Sequence, residues 1–387
     1  MNKLTEIIAG EIKRENRQTI SFARFLELAL YCPEHGYYDR ECATIGRGGD
    51  FFTSVSVGSL FGELLAFQFA QWLESEVERS KSEVRIVEAG AHDGKLAKDI
   101  LSWMQVQRPK LFDAVTYCIV EPSARRQKWQ KETLKNCARR VRWFENLPAI
   151  RHIRSAAPTT RHAPPSAGHS SGIFGIIFSN ELLDAMPVHR LGWDAPNRKW
   201  FEWGVTLEEG EFAWARLPQE NKFQIPGLPD ELLNVLPDGF TTEISPAAAN
   251  WWRAAAKLLQ GGKLLAIDYG FSAEEFFMPE RKDGTLRAYH RHHPVKDLLA
   301  NVGDHDITAH VNFTAIRQAG EAAGLETKAF LTQAQFLMQI AGSILEQKSD
   351  FGEWTPARAR EFQTLTHPEH LGRLFRALIK SKSQEPG

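Results

Sequence analysis

The sequence RIVEAGAHDGKLAKDIL, at residues 85–101, joins an apolar strand to a glycine turn and then to a helix with apolar residues at helical spacing. We predict the strand at Val84–Glu88 and the helix near Lys95–Gln105. Gly90 and Gly94 flank the turn, and residues without a Cβ allow backbone N–H groups to approach a ligand at the start of a helix. The segment therefore indicates the first strand and turn of a ligand-binding α/β fold.

Short apolar strands continue to alternate with helices along the chain, which is typical of a parallel sheet with crossover helices. Further strands are predicted at Thr116–Glu121, Val141–Phe144, Ile173–Ser179 and Lys263–Tyr269. The matching helices are predicted near Ala124–Asn136, Ala247–Gln260 and Thr314–Ala323. The predicted fold is α/β, a Rossmann-like sheet with an N-terminal helical lid and an antiparallel β insertion.

Changes in this pattern divide the chain into five parts. They are an N-terminal helical or lid region at 1–80, a first part of the sheet domain at 81–186, a β-hairpin insertion at 187–246, the remainder of the sheet domain at 247–335, and C-terminal helices at 336–387. In the insertion, alternating apolar residues flank turn signals, which indicates antiparallel hairpins. The far end of the sheet is predicted at Ile307–Phe313 and Thr327–Leu331.

Two glutamates end the first two predicted strands. Glu121 follows the glycine turn by about thirty residues, and a carboxylate there suits the two hydroxyls of a ribose. Glu88 places a carboxylate beside the ligand, which suits an ammonium group and would repel a pyrophosphate. The dinucleotide pattern G-x-G-x-x-G is absent, so a methyl-donor nucleoside is favoured over a dinucleotide. A purely structural turn with a surface glutamate is the alternative.

The fourth strand is followed by FSNELLDAMPVHR, which carries Asn180, Glu181 and Asp184. Two acids there could bind a guanidinium through planar, charge-assisted hydrogen bonds. They would also draw its charge toward one side and leave another nitrogen free to accept a methyl group. The alternative is that Asn180 and Glu181 cap a helix and that Asp184 is solvated.

The composition limits the classes of partner. The 387 residues carry a formal net charge of −1, so neither nucleic acid nor an anionic membrane is expected as a partner. No apolar run approaches the ~20 residues of a membrane span. The four cysteines lack metal-ligand spacing, and His290, His292 and His293 are adjacent in one loop, so no metal is expected. With no targeting segment recognised, we predict a cytoplasmic protein.

Several segments, which occur in the same order along the chain, resemble the MidA-like family of class I S-adenosylmethionine-dependent methyltransferases. The matching segments are LALYCPEHGYYDR, GRGGDFFTS, VEAGAHDGKL, FSNELLDAMPVHR, LLAIDYGF, TLRAYHRH and GDHDITAHVNF. The resemblance covers most of the chain, from about Phe22 to Leu337. This family includes a mitochondrial protein-arginine methyltransferase that acts in the assembly of respiratory complex I.

The resemblance implies S-adenosyl-L-methionine as cofactor and an arginine-bearing protein as substrate, with symmetric dimethylation as the activity. Glu88, Gly90 and Gly94 would contact the methionine half of the cofactor and Glu121 the ribose. Gly49 and Asp50 would belong to a lid over the cofactor. Asn180, Glu181, Asp184 and His310 would face the acceptor and act in catalysis.

The chain departs from the family pattern at three positions. His92 replaces the middle glycine of the turn, Ser56 replaces an expected glutamate, and Asn312 replaces an expected aspartate. Two alternatives therefore remain open. One is a catalytically degenerate binding or assembly factor, and the other is a small-molecule methyltransferase on the same fold. A homodimer is also left open.

Overall fold

The computed structural model describes residues 2–39, 53–79, 84–152, 172–217, 225–290, 293–347 and 350–382. Gly49 and Asp50, predicted to belong to a lid, lie outside the described residues, as do Cys42 and His292.

The secondary structure alternates between strands and helices along most of the described chain. The strands are β1 (Thr19–Ser21), β2 (Val84–Ala89), β3 (Val115–Val120), β4 (Val141–Phe144), β5 (Ile173–Asn180), β6 (His189–Asp194), β7 (Lys199–Glu208), β8 (Glu211–Leu217), β9 (Thr241–Ile244), β10 (Leu259–Phe271), β11 (Arg287–His290), β12 (His293–Pro294), β13 (Asp306–Thr308), β14 (Val311–Asn312), β15 (Glu326–Thr332) and β16 (Phe375–Lys382). The helices are α1 (Lys3–Arg14), α2 (Phe22–Tyr31), α3 (Ser54–Val57), α4 (Leu60–Arg79), α5 (Lys95–Gln107), α6 (Pro109–Ala114), α7 (Ala124–Thr133), α8 (Pro246–Leu258), α9 (Ala273–Phe276), α10 (Phe313–Glu321), α11 (Gln333–Glu346) and α12 (Pro356–Thr366).

The chain forms two compact units, and each is built from three separate segments. Unit 1 consists of Met1–Ser56, Glu181–Trp251 and Asp268–Ala319. Unit 2 consists of Val57–Asn180, Trp252–Ile267 and Gly320–Gly387. The five-part division made from the sequence stays a prediction.

A central sheet organises unit 2, with the strand order β15-β16-β10-β5-β2-β3-β4. Strands β10, β5, β2, β3 and β4 pair in parallel. β2 and β3 share the burial pattern of one half-buried and five buried residues, which is expected for strands with both faces covered. The parallel sheet confirms the predicted α/β fold. Four of the five predicted strands have bounds within one residue of the observed strands, and the fifth, Lys263–Tyr269, lies inside β10.

The C-terminal end of unit 2 differs from the prediction of helices alone. Helices α11 and α12 are present, but strand β16 follows them and pairs with β15 in antiparallel register. The pattern FRALIKSK alternates too weakly between apolar and polar residues to predict a strand, although all of its residues except Lys382 are buried. Its position in the sheet is set by neighbours distant in sequence.

Two glycines let β5 and β10 approach closely. A Cβ at Gly262 would lie 1.9 Å from the carbonyl oxygen of Gly175, and Gly262 has φ of +116°. Substitution by alanine would therefore push the strands apart as well as strain the backbone. We expect Gly262→Ala to lower the free energy of unfolding by at least about 2 kcal/mol in urea titrations.

The control for this prediction is Gly342→Ala in α11, where a Cβ would have no neighbour within 4 Å. Alanine in an open helix position is expected to stabilise by roughly 0.5–1 kcal/mol. A Gly262→Ala protein as stable as the wild type would contradict the close approach of the two strands.

Unit 1 is built around an antiparallel sheet with the order β1-β7-β6-β9, and β8 also pairs with β7. The hairpins β6–β7 and β7–β8 confirm the antiparallel β insertion. Helices α1 and α2 supply much of a shared apolar core, which includes Ile8, Phe22, Phe25 and Val205. The predicted N-terminal helical region is therefore present, with the short strand β1 between its helices.

A small sheet with the order β12-β11-β13 completes unit 1. The prediction that Ile307–Phe313 forms the end of the main sheet is wrong for the first of these residues. Ile307 and Thr308 lie in β13, which pairs with β11, and only β14 (Val311–Asn312) pairs with β10. The apolar pattern of this segment shows that it is buried but does not identify its partner strand.

Within the described residues, no helix is both long and apolar enough to cross a lipid bilayer. Cys32, Cys118 and Cys137 are buried, and none of them forms a disulfide with another described residue.

Candidate functional site

The glycine turn in unit 2 has the backbone conformation that its sequence predicts. Gly90 and Gly94 have φ of +77° and +84°. A Cβ at Gly94 would lie 3.3 Å from Leu134 and 3.4 Å from the backbone of Gln130. Gly94 also caps α5, and its N–H donates to the carbonyl of Ala91 at 2.7 Å. Both the left-handed backbone and the crowding favour glycine at this position. The turn places its main-chain groups at the start of α5, directly after β2.

Glu88, near the end of β2, is buried, with 2% of its surface exposed. The hydroxyl of Tyr117 on the neighbouring strand donates to its Oε2 at 2.7 Å. Burial raises the pKa of the Glu88 carboxyl to about 8, although the hydrogen bond from Tyr117 opposes this effect. A carboxyl in this state gains from a positively charged ligand group, which would favour its ionised form.

Glu121 directly follows β3 and is held by three donors. Its Oε1 accepts from the backbone N–H of Ser123 at 2.9 Å and pairs with the Arg126 guanidinium at 3.1 Å. Its Oε2 accepts from Gln130 Nε2 at 3.2 Å. Only 1% of Glu121 is exposed, so the carboxylate is not directed into bulk solvent. Burial raises its pKa, and the charge of Arg126 opposes that rise.

His92, which stands in the middle of the glycine turn, adopts φ of +45°. Its side chain is 34% exposed and lies 3.8 Å from the Asp93 carboxylate, and its carbonyl accepts from Gln130 Nε2 at 3.0 Å. A positive φ is uncommon for a residue with a Cβ. The imidazole is not buried in the interior of unit 2, and the turn keeps its left-handed geometry despite the replacement of glycine.

In unit 1, an acidic turn follows β5. Glu181 has φ of +51°, a left-handed conformation that is rare for a residue with a side chain and that clusters at functional sites. Asp184, three residues later, is buried and hydrogen-bonds Asp268. Burial raises the pKa of Asp184 well above its usual value, and the charges of Asp268 and Glu181 add to the rise. Asn180, the last residue of β5 in unit 2, is buried.

A fourth acid, Asp306, extends the group formed by Glu181, Asp184 and Asp268. Asp306 at the start of β13 is buried and also raises the pKa of Asp184. Both of its carboxylate oxygens accept from the hydroxyl of Tyr38, at 2.8 and 2.9 Å. We call Glu181, Asp184, Asp268 and Asp306 the acidic cluster. The charged groups with the largest effects on the pKa of Asp184 are themselves acidic, so a cationic ligand would stabilise its ionised form.

His310 follows β13 and stacks on Phe271, with ring centroids 4.8 Å apart. Its Nδ1 lies 3.2 Å from the carbonyl oxygen of Thr285, so Nδ1 carries the hydrogen and Nε2 keeps a free lone pair. Burial lowers the pKa of His310 to about 4. The imidazole is therefore neutral at physiological pH.

A family model described as "Putative S-adenosyl-L-methionine-dependent methyltransferase" matches residues 64–331 of the 387-residue chain. The match covers the glycine turn, both strand-end glutamates and the whole acidic cluster. The chain belongs to this methyltransferase family. The predicted resemblance to MidA-like class I methyltransferases is confirmed, and the cofactor is S-adenosyl-L-methionine.

Solved structures of the family extend over nearly the whole chain. A superfamily member from Burkholderia thailandensis, bound to S-adenosyl-homocysteine, is 29% identical, with a TM-score of 0.79 over 99% of this chain and 93% of that one. A native structure from the same organism is 30% identical, with a TM-score of 0.76 over 99% and 92%. The class I methyltransferase fold is therefore shown.

Curated relatives carry a more specific name. The Drosophila melanogaster protein arginine methyltransferase NDUFAF7 homolog, mitochondrial, is 27% identical over 93% of this chain and 80% of its own length. The Homo sapiens protein arginine methyltransferase NDUFAF7, mitochondrial, is 24% identical over 92% and 78%. These mitochondrial relatives contradict the predicted cytoplasmic location, which does not stand.

Two of the three departures from the family pattern have structural roles in this methyltransferase. Asn312 accepts from the N–H of Ala315 at 3.1 Å in the first turn of α10, and it donates to the carbonyl of Pro226 at 3.1 Å. Ser56 exchanges hydrogen bonds with Thr53 at 3.0 and 3.1 Å. Both replacements therefore stabilise local backbone. In the described residues, no group of three or more His, Cys, Asp or Glu side chains is placed to hold a metal ion.

Part of the acidic cluster and its surroundings was not predicted from the sequence. Glu181, Asp184 and His310 were predicted as site residues, whereas Asp268, Asp306 and Tyr38 were not. All three lie in quoted segments, namely LLAIDYGF, GDHDITAHVNF and LALYCPEHGYYDR. An aspartate directly after an apolar strand core was a usable signal for Asp268, whereas nothing local links Tyr38 to a residue 268 positions away.

Proposed function

We propose that this methyltransferase modifies the guanidinium of an arginine in a partner protein. The observation that carries the proposal is the acidic cluster of unit 1, in which Asp184, Asp268 and Asp306 are all buried. Burying several carboxyl groups together is unfavourable unless a cation or shared protons compensate. A guanidinium keeps its charge at all physiological pH values and presents planar pairs of donors to carboxylates. The names of the curated relatives support the same acceptor.

We assign the cofactor to residues of unit 2. Glu88 would bind the ammonium of the methionine moiety, and the turn from Gly90 to Gly94 would contribute main-chain groups. Glu121 would accept hydrogen bonds from the ribose. Gly49 and Asp50 stay a prediction for the lid, since they lie outside the described residues. The donor set fits the cofactor, because a buried carboxyl with a raised pKa suits a cation and the left-handed turn brings main-chain groups to the helix start.

The ribose assignment requires spare capacity on Glu121. A carboxylate accepts about four hydrogen bonds, and its protein partners use two on Oε1 and one on Oε2. One acceptor direction on Oε2 is therefore not used by a protein donor, but only 1% of Glu121 is exposed, so neighbouring side chains must move before a ribose hydroxyl can reach it. A second hydrogen bond to the ribose would require Arg126 to move away from Oε1.

The acceptor residues have separate roles in the proposed reaction. When bound, S-adenosyl-L-methionine supplies a methyl group on a sulfonium, and methylation of a guanidinium releases one proton. Glu181 and Asp184 would hold the guanidinium and fix the nitrogen that reacts, which accounts for much of the catalysis expected from positioning. Glu181, which is half-buried, would take the released proton and pass it to water. Neutral His310 would accept a hydrogen bond through Nε2 without adding a competing positive charge.

The direct test is transfer of tritiated methyl groups from the cofactor to the proteins of a lysate, followed by amino-acid analysis. We expect label in methylated arginine. Label in small metabolites alone would instead support a small-molecule methyltransferase. Tight binding of S-adenosylhomocysteine without any transfer would support a binding or assembly factor.

The raised pKa of Glu88 predicts how cofactor affinity depends on pH. Below pH 8 the free Glu88 carboxyl is protonated, and it must lose this proton when it pairs with an ammonium. Affinity for S-adenosylhomocysteine should therefore rise with pH between 6 and 7.5, by up to about tenfold per unit, with release of up to one proton. An α-ammonium keeps most of its charge in this range. Calorimetry in buffers of different ionisation enthalpy measures both the affinity and the number of protons released.

Glu88→Gln is expected to bind more weakly and to lose this pH dependence. Glu145→Gln, at an exposed position of unit 2, is the matched control and should behave like the wild type. If Glu88→Gln kept the proton release, the assignment of Glu88 to the ammonium would be incorrect.

A further inference from the structure

We propose that Asp268 is a positioning residue of the acceptor site, because its carboxylate holds the backbone turn that carries Glu181 and Asp184. This inference rests on the proposed arginine acceptor and concerns the same site.

The hydrogen bonds of Asp268 support this role directly. Its Oδ2 accepts from the backbone N–H of Leu182 at 3.1 Å and of Leu183 at 2.8 Å. Its Oδ1 accepts from its own neighbour, the N–H of Tyr269, at 2.9 Å. Asp268 has no exposed surface. One side chain therefore fixes two consecutive amides that lie between Glu181 and Asp184.

The turn needs such a side chain because its first residue has a left-handed backbone. Glu181 has φ of +51°, so the extended backbone of β5 ends there and the N–H groups of Leu182 and Leu183 donate to a side chain instead. A buried N–H without a partner costs about 1–3 kcal/mol, and Leu183 is buried. The later part of the turn is held separately, since Ala309 N–H donates to the Asp184 carbonyl at 2.9 Å. Asp268 thus controls the part of the turn that orients Glu181.

Asp268 also touches the acceptor acids through its side chain. It hydrogen-bonds Asp184, so the two buried carboxyl groups share a proton. The other titratable groups that face this pair are Glu181, Asp306, Tyr38 and Tyr269. Burial raises the pKa of both aspartates, and the backbone N–H groups stabilise the charged form of Asp268. The proton is therefore held mainly by Asp184.

Asp268→Asn tests the proposal, because an amide has the same shape but only one oxygen. It cannot accept hydrogen bonds on both sides, and it removes the negative charge beside Asp184. We expect kcat for arginine methylation to fall about 100-fold while KM and affinity for S-adenosylhomocysteine stay within threefold of the wild type. The acidic limb of the pH–rate profile should move to lower pH, because Asp184 then ionises more easily.

The titration of Asp184 supplies a readout that does not depend on catalysis. It can be followed by ¹³C NMR of carboxyl-labelled aspartate, with the signal assigned from Asp184→Asn. In Asp268→Asn the pKa of Asp184 should fall. Asp230→Asn, at an exposed position of unit 1, is the matched control and should leave both the titration and kcat unchanged.

A second variant covers the case in which Asp268→Asn does not fold. Asp268→Glu keeps the charge but places its oxygens about one bond further out, so kcat should remain low while the pKa of Asp184 stays raised. Wild-type kcat in Asp268→Glu, or an unchanged Asp184 titration in Asp268→Asn, would overturn the proposal. A wild-type protein that methylates no arginine, with the Asp184 titration still shifted in Asp268→Asn, would instead refute the proposed acceptor and leave the coupling to Asp268 intact.

Discussion

Replacing Glu181 with glutamine is expected to lower kcat/KM for methylation of an arginine substrate about 1000-fold. The amide keeps the size of the side chain but loses its charge, so one of the two acids that hold the guanidinium no longer forms charge-assisted hydrogen bonds. Removing one partner of a hydrogen-bonded ion pair that is shielded from solvent typically costs 2–5 kcal/mol of binding free energy. A 1000-fold loss of kcat/KM corresponds to about 4 kcal/mol. Glu181 belongs to unit 1, whereas the proposed cofactor residues on the main sheet, Glu88 and Glu121, belong to unit 2. Affinity for S-adenosylhomocysteine should therefore remain within twofold of the wild type.

Calorimetry and a radiolabel transfer assay separate these two effects. Glu208→Gln, an exposed change in β7 of the same unit, should leave both unchanged. Full activity of Glu181→Gln would remove Glu181 from the acceptor site. A matching loss of cofactor affinity would show instead that Glu181 contributes to cofactor binding.

Replacing Glu121 with alanine should weaken binding of S-adenosylhomocysteine at least 100-fold. The substitution removes a carboxylate that is proposed to accept from ribose hydroxyls, and hydrogen bonds to charged groups contribute roughly 1.5–3 kcal/mol each. It also leaves Arg126 without its partner at 3.1 Å and Gln130 without its partner at 3.2 Å. These losses act on the nucleoside half of the cofactor, so calorimetry with adenosine alone should show the same defect.

Glu132→Ala, an exposed change on the same helix as Arg126 and Gln130, is the control and should bind normally. Thermal unfolding of each variant distinguishes a lost contact from a lost fold. Where Glu121→Ala proves unstable, Glu121→Gln keeps the shape and is expected to bind about tenfold more weakly. Normal binding by a folded Glu121 variant would show that the ribose lies elsewhere.

The local structure around the proposed cofactor residues was easier to predict from the sequence than that around the proposed acceptor residues. The strand, turn and helix around Gly90 and Gly94 can be predicted from the spacing of apolar residues and from the turn residues. Both of these signals lie within about fifteen residues of sequence. The strand-end acids Glu88 and Glu121 are found by the same local reasoning. What the sequence did not show is that protein donors already hold Glu121, because Arg126 and Gln130 approach it only after α7 has folded.

The structure around the proposed acceptor residues depends on contacts between distant segments. Asp268 and Leu183 are 85 positions apart, and Tyr38 and Asp306 are 268 positions apart. No period or spacing in the sequence encodes such pairs. The same limit explains why β16 was missed and why Ile307 was assigned to the wrong sheet, since a strand's partner is chosen by the tertiary fold.

The division of the polypeptide into interleaved segments has a consequence for experiments on fragments. No single cut releases either unit, because each draws on three stretches and their order alternates along the chain. A fragment that ends at residue 319 would lack β15 and β16, the two strands at one side of the main sheet. Contacts between remote segments also slow folding, because loops must close before such contacts can form. Synthesis must therefore reach Lys382 before unit 2 can complete its sheet, and truncated chains are expected to aggregate.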